Sequence, residues 1–446
     1  MNRREFLRRT AVTAAASLAA PRVLTSGAAG AAGRAAASER ITVGCIGVGN
    51  QGRAVMRNFL AERDAQVVAV CDVKSRELEY ARTFVDRRYG GMFCGAYGDF
   101  RDLLARDDVD AVLIATPDHW HAPIALAAAR AGKDIYLEKP VGVSLAEAQA
   151  LRAAARRYGT AFQFGTQQRS DARFRLACEL VRNGRIGRLR RVNVWCPGSR
   201  PGGSTRRVAP PEYLDYDMWL GPAPWSPHTE HRCSNLFPGS RDPYKIWPFI
   251  SDYCVGWVSG WGIHALDIAL WGGGESLAGP FEIAGAGTIP TTGACDTATA
   301  WKIAIRYDSG VTIDFRSPAA AAWRRRYGRA GDHGTAFEGS EGWVHVDRST
   351  VLAHPRSLLR STIGPDEVRL DRPASHVRDF LDAVKSRRPT ICPIDAAFAA
   401  ETLCQLSAIV LRLCRPLRWN PTAERFVEDA EADRMLLRAM RSPWRL

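Results

Sequence analysis

Three glycines with the spacing G-x-G-x-x-G stand between an apolar run and a helical pattern. The apolar run covers residues 41–46, and the turn after it consists of Gly47, Val48, Gly49, Asn50, Gln51 and Gly52. In such a turn the first glycine allows a tight bend, the second lets a pyrophosphate approach the backbone, and the third lets the helix pack on the strand. The start of the helix then offers N–H groups and a partial positive charge to the phosphates. The spacing predicts a dinucleotide site, against the alternative of a tight turn without a ligand.

A carboxylate follows at the distance that such a site requires. Asp72 comes directly after the apolar run 67–71 and stands 20 residues after Gly52. A carboxylate at this position accepts hydrogen bonds from a ribose 2′-OH, whereas a 2′-phosphate would meet like charge. The sequence therefore predicts NAD as the cofactor in preference to NADP.

Two further loops carry polar side chains directly after predicted strands. The first contains Thr116, Pro117 and His121, and the second contains Glu138, Lys139 and Pro140. The carboxyl ends of parallel strands meet at one edge of a sheet, where ligands of such folds bind. Pro140 disfavours helical geometry at Lys139, which keeps this lysine extended in its loop. We expect both loops to border the cofactor, although His121 could equally begin a helix without contacting it.

Alternating strands and helices must position these loops. Predicted strands cover 41–46, 66–71, 111–115 and 134–137, and predicted helices begin at about 52 and cover 75–88 and 122–131. Short apolar strands that alternate with longer helices indicate a doubly wound parallel sheet. A second set of strands at 189–195, 281–287, 298–307 and 310–316 precedes helices at 375–386 and 395–414. The predicted fold class is therefore α/β.

The first 38 residues have the pattern of an export signal. Arginines occupy positions 3, 4, 8 and 9, an uncharged Ala-rich stretch covers 10–21, and residues 25–38 are rich in Ala, Gly and Ser. Twin arginines before a modest apolar region are typical of the twin-arginine route, and the apolar stretch is short for a membrane span. We therefore expect export to the periplasm by the twin-arginine machinery, which carries folded proteins. The alternative is a flexible basic tail.

Charge and cysteine content exclude other classes of protein. The net charge is +14, but six arginines and one glutamate in residues 1–38 supply part of it, and no nucleic-acid-binding motif accompanies the remaining arginines. The 11 cysteines have no paired spacing, and Cys45 and Cys71 lie in predicted core strands. Neither C-x-x-C nor H-E-x-x-H occurs. We expect no nucleic-acid partner, no disulfide framework and no metal site.

The glycine turn, Asp72, Thr116-Pro117, His121 and Glu138-Lys139-Pro140 together resemble the Gfo/Idh/MocA oxidoreductases. Segments 165–169, 219–225, 261–267 and 418–421 extend the resemblance over roughly residues 40–446. The resemblance implies a Rossmann domain at 39–160 and a substrate-binding α/β domain at 161–446. The second domain is expected to have an open, mainly antiparallel sheet that lines the substrate site and mediates oligomerisation. It includes a Trp- and Pro-rich insertion at 197–250 and a C-terminal tail at 416–446.

The resemblance also implies roles for individual side chains. Lys139 approaches substrate and nicotinamide, His264 acts as acid or base on a sugar hydroxyl, and Gln167 borders the cofactor. Oxidation of a secondary alcohol needs a proton taken from oxygen as hydride leaves carbon, which an imidazole with a pKa of about 6.5 suits. An ammonium group stabilises the negative charge that develops. Asp267 shares a helix face with His264, so it could bind a substrate hydroxyl or orient the imidazole.

One position departs from the family pattern. Many members have an aspartate four residues before the motif histidine, and this chain has Gly260 there. Asp252 or Tyr253, just upstream, could take its place. The insertion adds aromatic side chains that could stack on sugar rings or belong to the core or a subunit interface: Trp219, Trp225 and Trp247.

Three functions fit these residues. The first is an NAD-dependent oxidoreductase acting on a CH–OH group of a sugar, polyol or glycoside. Its cofactor would be tightly bound and regenerated on the enzyme, because little free NAD is expected outside the cytoplasm. The second is an NAD-dependent glycosidase or lyase that oxidises the sugar transiently, eliminates the aglycone and returns the hydride. The third is a nucleotide-binding protein without catalysis, for which only Gly260 argues. We expect a homo-oligomer, a dimer or tetramer.

Overall fold

The structure is a computed structural model that describes residues 36–234, 246–327 and 331–446. Residues 1–35 of the predicted export signal lie outside the described residues, as do residues 235–245 of the predicted insertion. Both predicted domains fall within the described part of the chain.

Apolar strands of the N-terminal part form a six-stranded parallel sheet. Its strands are β1 (Ile41–Ile46), β2 (Ala65–Cys71), β3 (Gly95–Tyr97), β4 (Ala111–Ile114), β5 (Asp134–Leu137) and β6 (Phe162–Phe164). Their order in space is β3-β2-β1-β4-β5-β6, so the direction of winding reverses between β1 and β4. The helices between the strands are Asn50–Ala61, Ser75–Tyr89, Phe100–Leu104, His121–Arg130 and Leu145–Tyr158. The predicted Rossmann fold is confirmed, and ligands bind such sheets where the winding reverses.

Local sequence signals set the ends of these helices. Ser144 and Glu147 form a capping box at the start of the helix Leu145–Tyr158, and Gly159 ends it with φ 64°. Asp99 caps the short helix Phe100–Leu104 by accepting a hydrogen bond from the backbone N–H of Arg101. The two N-terminal caps thus define where their helices begin, and Gly159 defines where the helix Leu145–Tyr158 ends.

The first domain extends beyond its predicted boundary at residue 160. Strand β6 pairs with β5, and the helix His376–Ser386 returns from the C-terminal half to cover one face of the same sheet. Phe380 on this helix is fully buried and lies 6.0 Å from the ring of Phe59 and 5.9 Å from the ring of Tyr136. The sequence pattern showed this helix but not the sheet against which it packs.

The C-terminal part forms a nine-stranded sheet. The strands are β7 (Leu189–Trp195), β8 (Phe281–Thr288), β9 (Ala300–Tyr307), β10 (Thr312–Ser317), β11 (Gly334–Gly339), β12 (Trp343–Val346), β13 (Val351–His354), β14 (Leu417–Asn420) and β15 (Arg425–Phe426). The order is β13-β12-β11-β7-β10-β9-β8-β14-β15, and within the described strands of this second sheet β7 and β10 are the one parallel pair. The predicted mainly antiparallel sheet is confirmed.

Three long helices pack on one face of this second sheet. They are Ala172–Arg182, Gly262–Gly273 and Ile394–Leu413. The helix Ile394–Leu413 is long and apolar enough to cross a membrane by length and composition, and 72% of its most apolar stretch is buried inside the protein. A helix that is apolar on all sides suits this position, because it lies between β8 and two other helices. Shorter helices are Tyr216–Leu220, Trp257–Gly260, Ala321–Arg326 and Ala430–Arg434.

The described part of the insertion packs beside the first domain. Trp219 and Trp247 are 3% and 8% exposed and belong to a small hydrophobic cluster with Tyr253, whereas Trp225 is 70% exposed. The backbone of Lys74, just after β2, forms an isolated bridge with Leu214. Of the two alternatives left open for these tryptophans, the core position thus holds for Trp219 and Trp247.

The returning helix should contribute strongly to stability. We expect Phe380→Ala to lower the free energy of unfolding by about 3–5 kcal/mol, because it opens a cavity between the helix and the sheet. Urea denaturation followed by circular dichroism measures this change. The matched control is Phe93→Ala, because Phe93 is 69% exposed. Equal effects of the two substitutions would contradict the packing described here.

Candidate active site

The glycine turn has the geometry that its sequence predicts. Gly47 has φ +81°, and a Cβ atom there would lie 2.6 Å from the backbone nitrogen of Thr116. A Cβ atom on Gly52 would lie 1.9 Å from the carbonyl oxygen of Gly47. Only glycine fits both positions, so the helix Asn50–Ala61 starts directly at the carboxyl end of β1.

A cleft of about 980 Å³ opens in front of this turn. Its wall includes the glycine turn, the loop with Thr116 and Pro117, and Glu138 with Lys139, and on the opposite side Met218, Trp219 and Trp247 of the insertion. The Thr116 hydroxyl is buried and has no hydrogen-bond partner among the described residues. A helix N-terminus and an unsatisfied hydroxyl at the carboxyl ends of the strands fit a bound dinucleotide.

Asp72 joins the glycine turn to the next loop. Its carboxylate accepts hydrogen bonds from the backbone N–H groups of Val48 at 2.9 Å and Lys74 at 3.0 Å. Burial raises the pKa of Asp72 to about 6, although the nearby Lys74 opposes this shift. The side chain also lines the cleft. It lies where a ribose hydroxyl could donate to its remaining lone pairs.

His121 connects the two predicted cofactor loops. Its Nδ1 lies 2.6 Å from the carbonyl oxygen of Pro140, and its Nε2 lies 2.9 Å from that of Thr116. The side chain is 1% exposed and begins the helix His121–Arg130. We therefore interpret His121 as a residue that positions the loops. Its side chain also lines the nucleotide cleft, so the expected contact with the cofactor stays a prediction.

Glu138 and Gln167 form a buried hydrogen-bonded group behind the cleft. Glu138 Oε1 accepts hydrogen bonds from Gln51 at 2.9 Å and from Gln167 at 2.7 Å. Gln167 also donates to the Tyr136 hydroxyl at 3.2 Å. Gln167 lines the neighbouring pocket, which adjoins the nucleotide cleft at Gln51 and Lys139, so its expected place beside the cofactor stays a prediction.

This second pocket, of about 960 Å³, adjoins the cleft. Gln51 and Lys139 line both cavities. The remaining wall combines aromatic and polar side chains, among them Trp257, Trp261, Gln168, Arg173, His264 and Arg348. A molecule in this pocket would therefore meet a ligand of the cleft at Lys139.

Lys139 lies at the junction of the two cavities. Its ammonium group donates a hydrogen bond to the carbonyl oxygen of Gly260 at 3.1 Å. A Cβ atom on Gly260 would lie 2.8 Å from the ring of Trp257, so an aspartate side chain does not fit beside that ring. At the sequence position for which the resemblance implies an aspartate, this chain therefore offers Lys139 a backbone carbonyl and no carboxylate.

Neither proposed substitute for that aspartate reaches the pocket. Tyr253 accepts a hydrogen bond from Arg232 at 2.8 Å and packs against Trp219. Asp252 lies among the charges of Asp296 and Arg438, and its pKa is raised by burial. Neither residue lines the cavity that contains His264, so both suggestions from the sequence are corrected.

His264 faces the second pocket from the helix Gly262–Gly273. It is 5% exposed, and its pKa lies well below the usual value because of burial and, secondarily, the charges of Lys139 and Arg348. The imidazole is therefore neutral near pH 7, which is the form that can accept a proton. Lys139 and His264, brought together here from positions 125 residues apart, line one pocket.

Asp267 does not contact this pocket. Its carboxylate is fully buried and forms a bidentate ion pair with Arg169, with N–O distances of 2.8 and 2.6 Å. It neither orients the imidazole nor reaches a substrate hydroxyl, which corrects the role expected for it. The pair instead fixes the helix of His264 to the segment after β6.

The sequence assigns no role to two pocket residues, Arg348 and Trp261, or to His333, which packs beside Trp261. Arg348 lies between β12 and β13, 4.7 Å from the ring of Trp261, and His333 lies 5.0 Å from the same ring. Arg348 and His333 stand outside any motif, so no spacing pointed to them. Trp261 belongs to segment 261–267, which resembles the family, but no role follows for it from the sequence.

The cysteines form no disulfide within the described residues. All 11 cysteines are free thiols, and ten of them are buried. Within residues 36–234, 246–327 and 331–446, no group of three or more His, Cys, Asp or Glu side chains could hold a metal ion.

Comparison with curated proteins finds relatives that match part of the chain. The "Glycosyl hydrolase family 109 protein" of Saccharopolyspora erythraea is 40% identical over 114 residues, 25% of each chain. The protein of the same name from Stenotrophomonas maltophilia is 29% identical over 250 residues, 53% of each chain. The chain thus spans a quarter to about half of the length of these relatives.

Solved structures share the fold over most of the chain. One is an aldose-aldose oxidoreductase from Caulobacter crescentus, complexed with glycerol, with a TM-score of 0.59 at 19% identity. The match spans 84% of this chain and 99% of the oxidoreductase chain. The WlbA dehydrogenase from Bordetella pertussis, in complex with NADH and UDP-GlcNAcA, has a TM-score of 0.58 at 17% identity and covers 84% and 98%. At these identities the likeness establishes the architecture alone.

Two family profiles match most of the chain. The profile described as "Oxidoreductase family, NAD-binding Rossmann fold" matches residues 41–166, which include the glycine turn and Lys139. The profile described as "Oxidoreductase family, C-terminal alpha/beta domain" matches residues 202–446, which include His264. The chain therefore belongs to the Gfo/Idh/MocA oxidoreductase family.

Proposed function

We propose that the protein is an NAD-dependent oxidoreductase that acts on a CH–OH group of a sugar, polyol or glycoside. One observation carries this proposal: Lys139 lines both the nucleotide cleft and the pocket of His264. A substrate in the second pocket would lie next to the reactive end of a dinucleotide in the first. The Caulobacter crescentus relative, an aldose-aldose oxidoreductase, supports a carbohydrate substrate.

The side chains of the pocket match the proton chemistry of alcohol oxidation. When bound, the nicotinamide cofactor supplies the acceptor for a hydride. The neutral imidazole of His264 takes the proton of the substrate hydroxyl. The ammonium group of Lys139 stabilises the negative charge on the same oxygen. Trp257 and Trp261 offer flat apolar faces to the C–H side of a sugar ring.

A redox-neutral glycosidase or lyase is the second candidate. The curated relatives are named as members of glycosyl hydrolase family 109, which favours this reaction. Transient oxidation, elimination of the aglycone and return of the hydride would need no second oxidant. Such a cycle suits a cofactor that stays on the protein. Nucleotide binding without catalysis has less support, because Lys139 and His264 line one pocket.

Export, cofactor preference and assembly complete the proposal. The twin arginines of residues 1–38 support the twin-arginine route to the periplasm, and Asp72 supports NAD over NADP. The family resemblance supports a homo-oligomer, in which the second sheet would form the contact. An exported enzyme of this kind would carry its cofactor with it.

Incubation with matched substrates separates the candidate functions. Purified protein is mixed with aryl glycosides and with sugar alcohols, with and without added NAD. Release of the aryl group without added NAD supports the glycosidase, and bulk formation of NADH supports the oxidoreductase. If the protein binds NAD but forms neither product, the third candidate, a nucleotide-binding protein without catalysis, is supported.

Lys139 and His264 should be needed for turnover but not for cofactor binding. We expect Lys139→Met and His264→Gln each to lower kcat by about 100-fold to 10,000-fold, the usual range for a lost proton-transfer group. Nucleotide content, measured by native mass spectrometry, should not change. The controls are Lys302→Met and His354→Gln, because both side chains are exposed on the second sheet. Turnover at the control rate in a pocket variant would refute the role of that residue.

The pH dependence of the reaction should reflect the environment of His264. Because burial and nearby cations lower the pKa of this imidazole, it becomes protonated only well below pH 6.5. We therefore expect the acid limb of kcat/KM to lie well below the pH of about 6.5 at which an ordinary histidine titrates. A pH–rate profile measures this limb. An acid limb at pH 7 or above would show that His264 is not the base.

Asp72 should determine the choice between NAD and NADP. We expect Asp72→Ala to narrow the ratio of the two dissociation constants by about tenfold or more, which corresponds to about 1.4 kcal/mol of relieved charge repulsion. Fluorescence titration with NADH and NADPH gives both constants. Asp102→Ala removes an exposed carboxylate as a control. An unchanged ratio would show that Asp72 does not contact the ribose.

A further inference from the structure

We propose that the C-terminal segment 441–444 and residues 213–218 of the insertion form the pocket for the adenine half of the dinucleotide. The inference rests on the cofactor of the proposed function. It assigns cofactor binding to two segments outside the Rossmann domain, one of them at the opposite end of the chain from the glycine turn.

The position of Asp72 determines where the adenine must lie. A carboxylate at the end of β2 binds the ribose of the adenosine, so the base lies beyond it, away from the glycine turn. A third cavity, of about 1240 Å³, starts at this point. It shares Asp72, Val73, Gly98 and Met218 with the nucleotide cleft, so the two cavities are continuous.

The walls of this third cavity suit a flat aromatic base. The first domain contributes Leu78 and Arg101, the insertion contributes Tyr213 and Met218, and the C-terminal segment contributes Pro443 and Trp444. Aromatic rings, proline and guanidinium planes all stack on bases. The Arg101 guanidinium already lies 5.5 Å from the centre of the Trp444 ring.

Specific hydrogen bonds hold the C-terminal segment in this place. The backbone N–H of Arg441 donates to the Pro222 carbonyl at 2.9 Å, and its side chain donates to the carbonyl oxygens of Gly221 and Asp217, each at 2.8 Å. The ring of Trp444 lies 4.6 Å from the ring of Trp120, which lines the nucleotide cleft. The segment is therefore fixed to the wall of the cleft.

The insertion is fixed to the first domain on the other side. The backbone N–H of Ser75 donates to the Tyr213 carbonyl at 2.9 Å, and that of Asp215 donates to the Val73 carbonyl at 3.0 Å. The Arg76 guanidinium lies 4.3 Å from the centre of the Tyr213 ring. The loop after Asp72, the insertion and the C-terminal segment thus enclose the third cavity from three sides, which would slow the release of a bound base.

The charge of the cavity agrees with an unphosphorylated adenosine. Five carboxylates and two guanidinium groups line it: Asp72, Asp99, Glu212, Asp215, Asp217, Arg101 and Arg441. The excess of negative charge would repel a 2′-phosphate but not a neutral base and ribose. The same walls therefore favour NAD over NADP.

Binding of cofactor fragments tests this assignment. NADH, ADP-ribose and nicotinamide mononucleotide are titrated into nucleotide-free protein by calorimetry, for the wild type and for Trp444→Ala. We expect the affinities for NADH and ADP-ribose to fall by about tenfold, the effect of losing one aromatic surface beside a base. The affinity for nicotinamide mononucleotide should stay the same. Trp225→Ala and Arg445→Ala are controls, because both side chains are exposed.

The possible outcomes are distinct. Unchanged NADH affinity in Trp444→Ala, or an equal loss for all three molecules, would overturn the assignment. A wild type that binds no NADH would overturn both this inference and the proposed function. Arg441→Lys is a second variant for the case that Trp444→Ala fails to fold, and the same pattern is expected of it. Wild-type protein should also keep more nucleotide through purification than Trp444→Ala.

Discussion

The hydrogen bond between the Lys139 ammonium and the Gly260 carbonyl joins the two halves of the molecule where their cavities meet. Lys139 belongs to the loop after β5 of the first sheet, and Gly260 ends a short helix of the second domain. A dinucleotide cleft and a substrate pocket can cooperate only if one group reaches both, and Lys139 is placed to do so. The glycine turn, the His121 bridge and the buried Glu138 all serve to hold this loop in position.

The contact at Gly260 also determines the electrostatics of the site. A carbonyl dipole holds an ammonium group without neutralising its charge, whereas a carboxylate would cancel it. Lys139 and Arg348 line the same pocket as His264, and their charges add to the burial that lowers the pKa of its imidazole. Stabilisation of a negatively charged substrate oxygen should therefore depend on Lys139.

The spacing of residues in the sequence predicted the features that depend on neighbouring residues. It did not predict contacts between segments that lie far apart in the chain. The glycine turn, Asp72 and most strands were found because each follows from a short pattern, and shared motifs placed Lys139 and His264. The role of Asp267 was misjudged because its partner, Arg169, lies 98 residues away and no pattern links the two. Likewise, the ring of Trp257 leaves no room for a side chain at Gly260, and two backbone carbonyl groups hold the His121 ring. Such contacts become visible only once the sheets are assembled.

The helix His376–Ser386 makes the first domain discontinuous in the chain. During synthesis, Phe59 and Tyr136 remain exposed to water until Phe380 has left the ribosome, because that side chain covers them. The nucleotide domain thus cannot mature as an N-terminal module, and a fragment ending near residue 166 would expose an apolar sheet face to chaperones. Translation of most of the polypeptide must precede cofactor loading, which ties cofactor acquisition to a late stage of biogenesis.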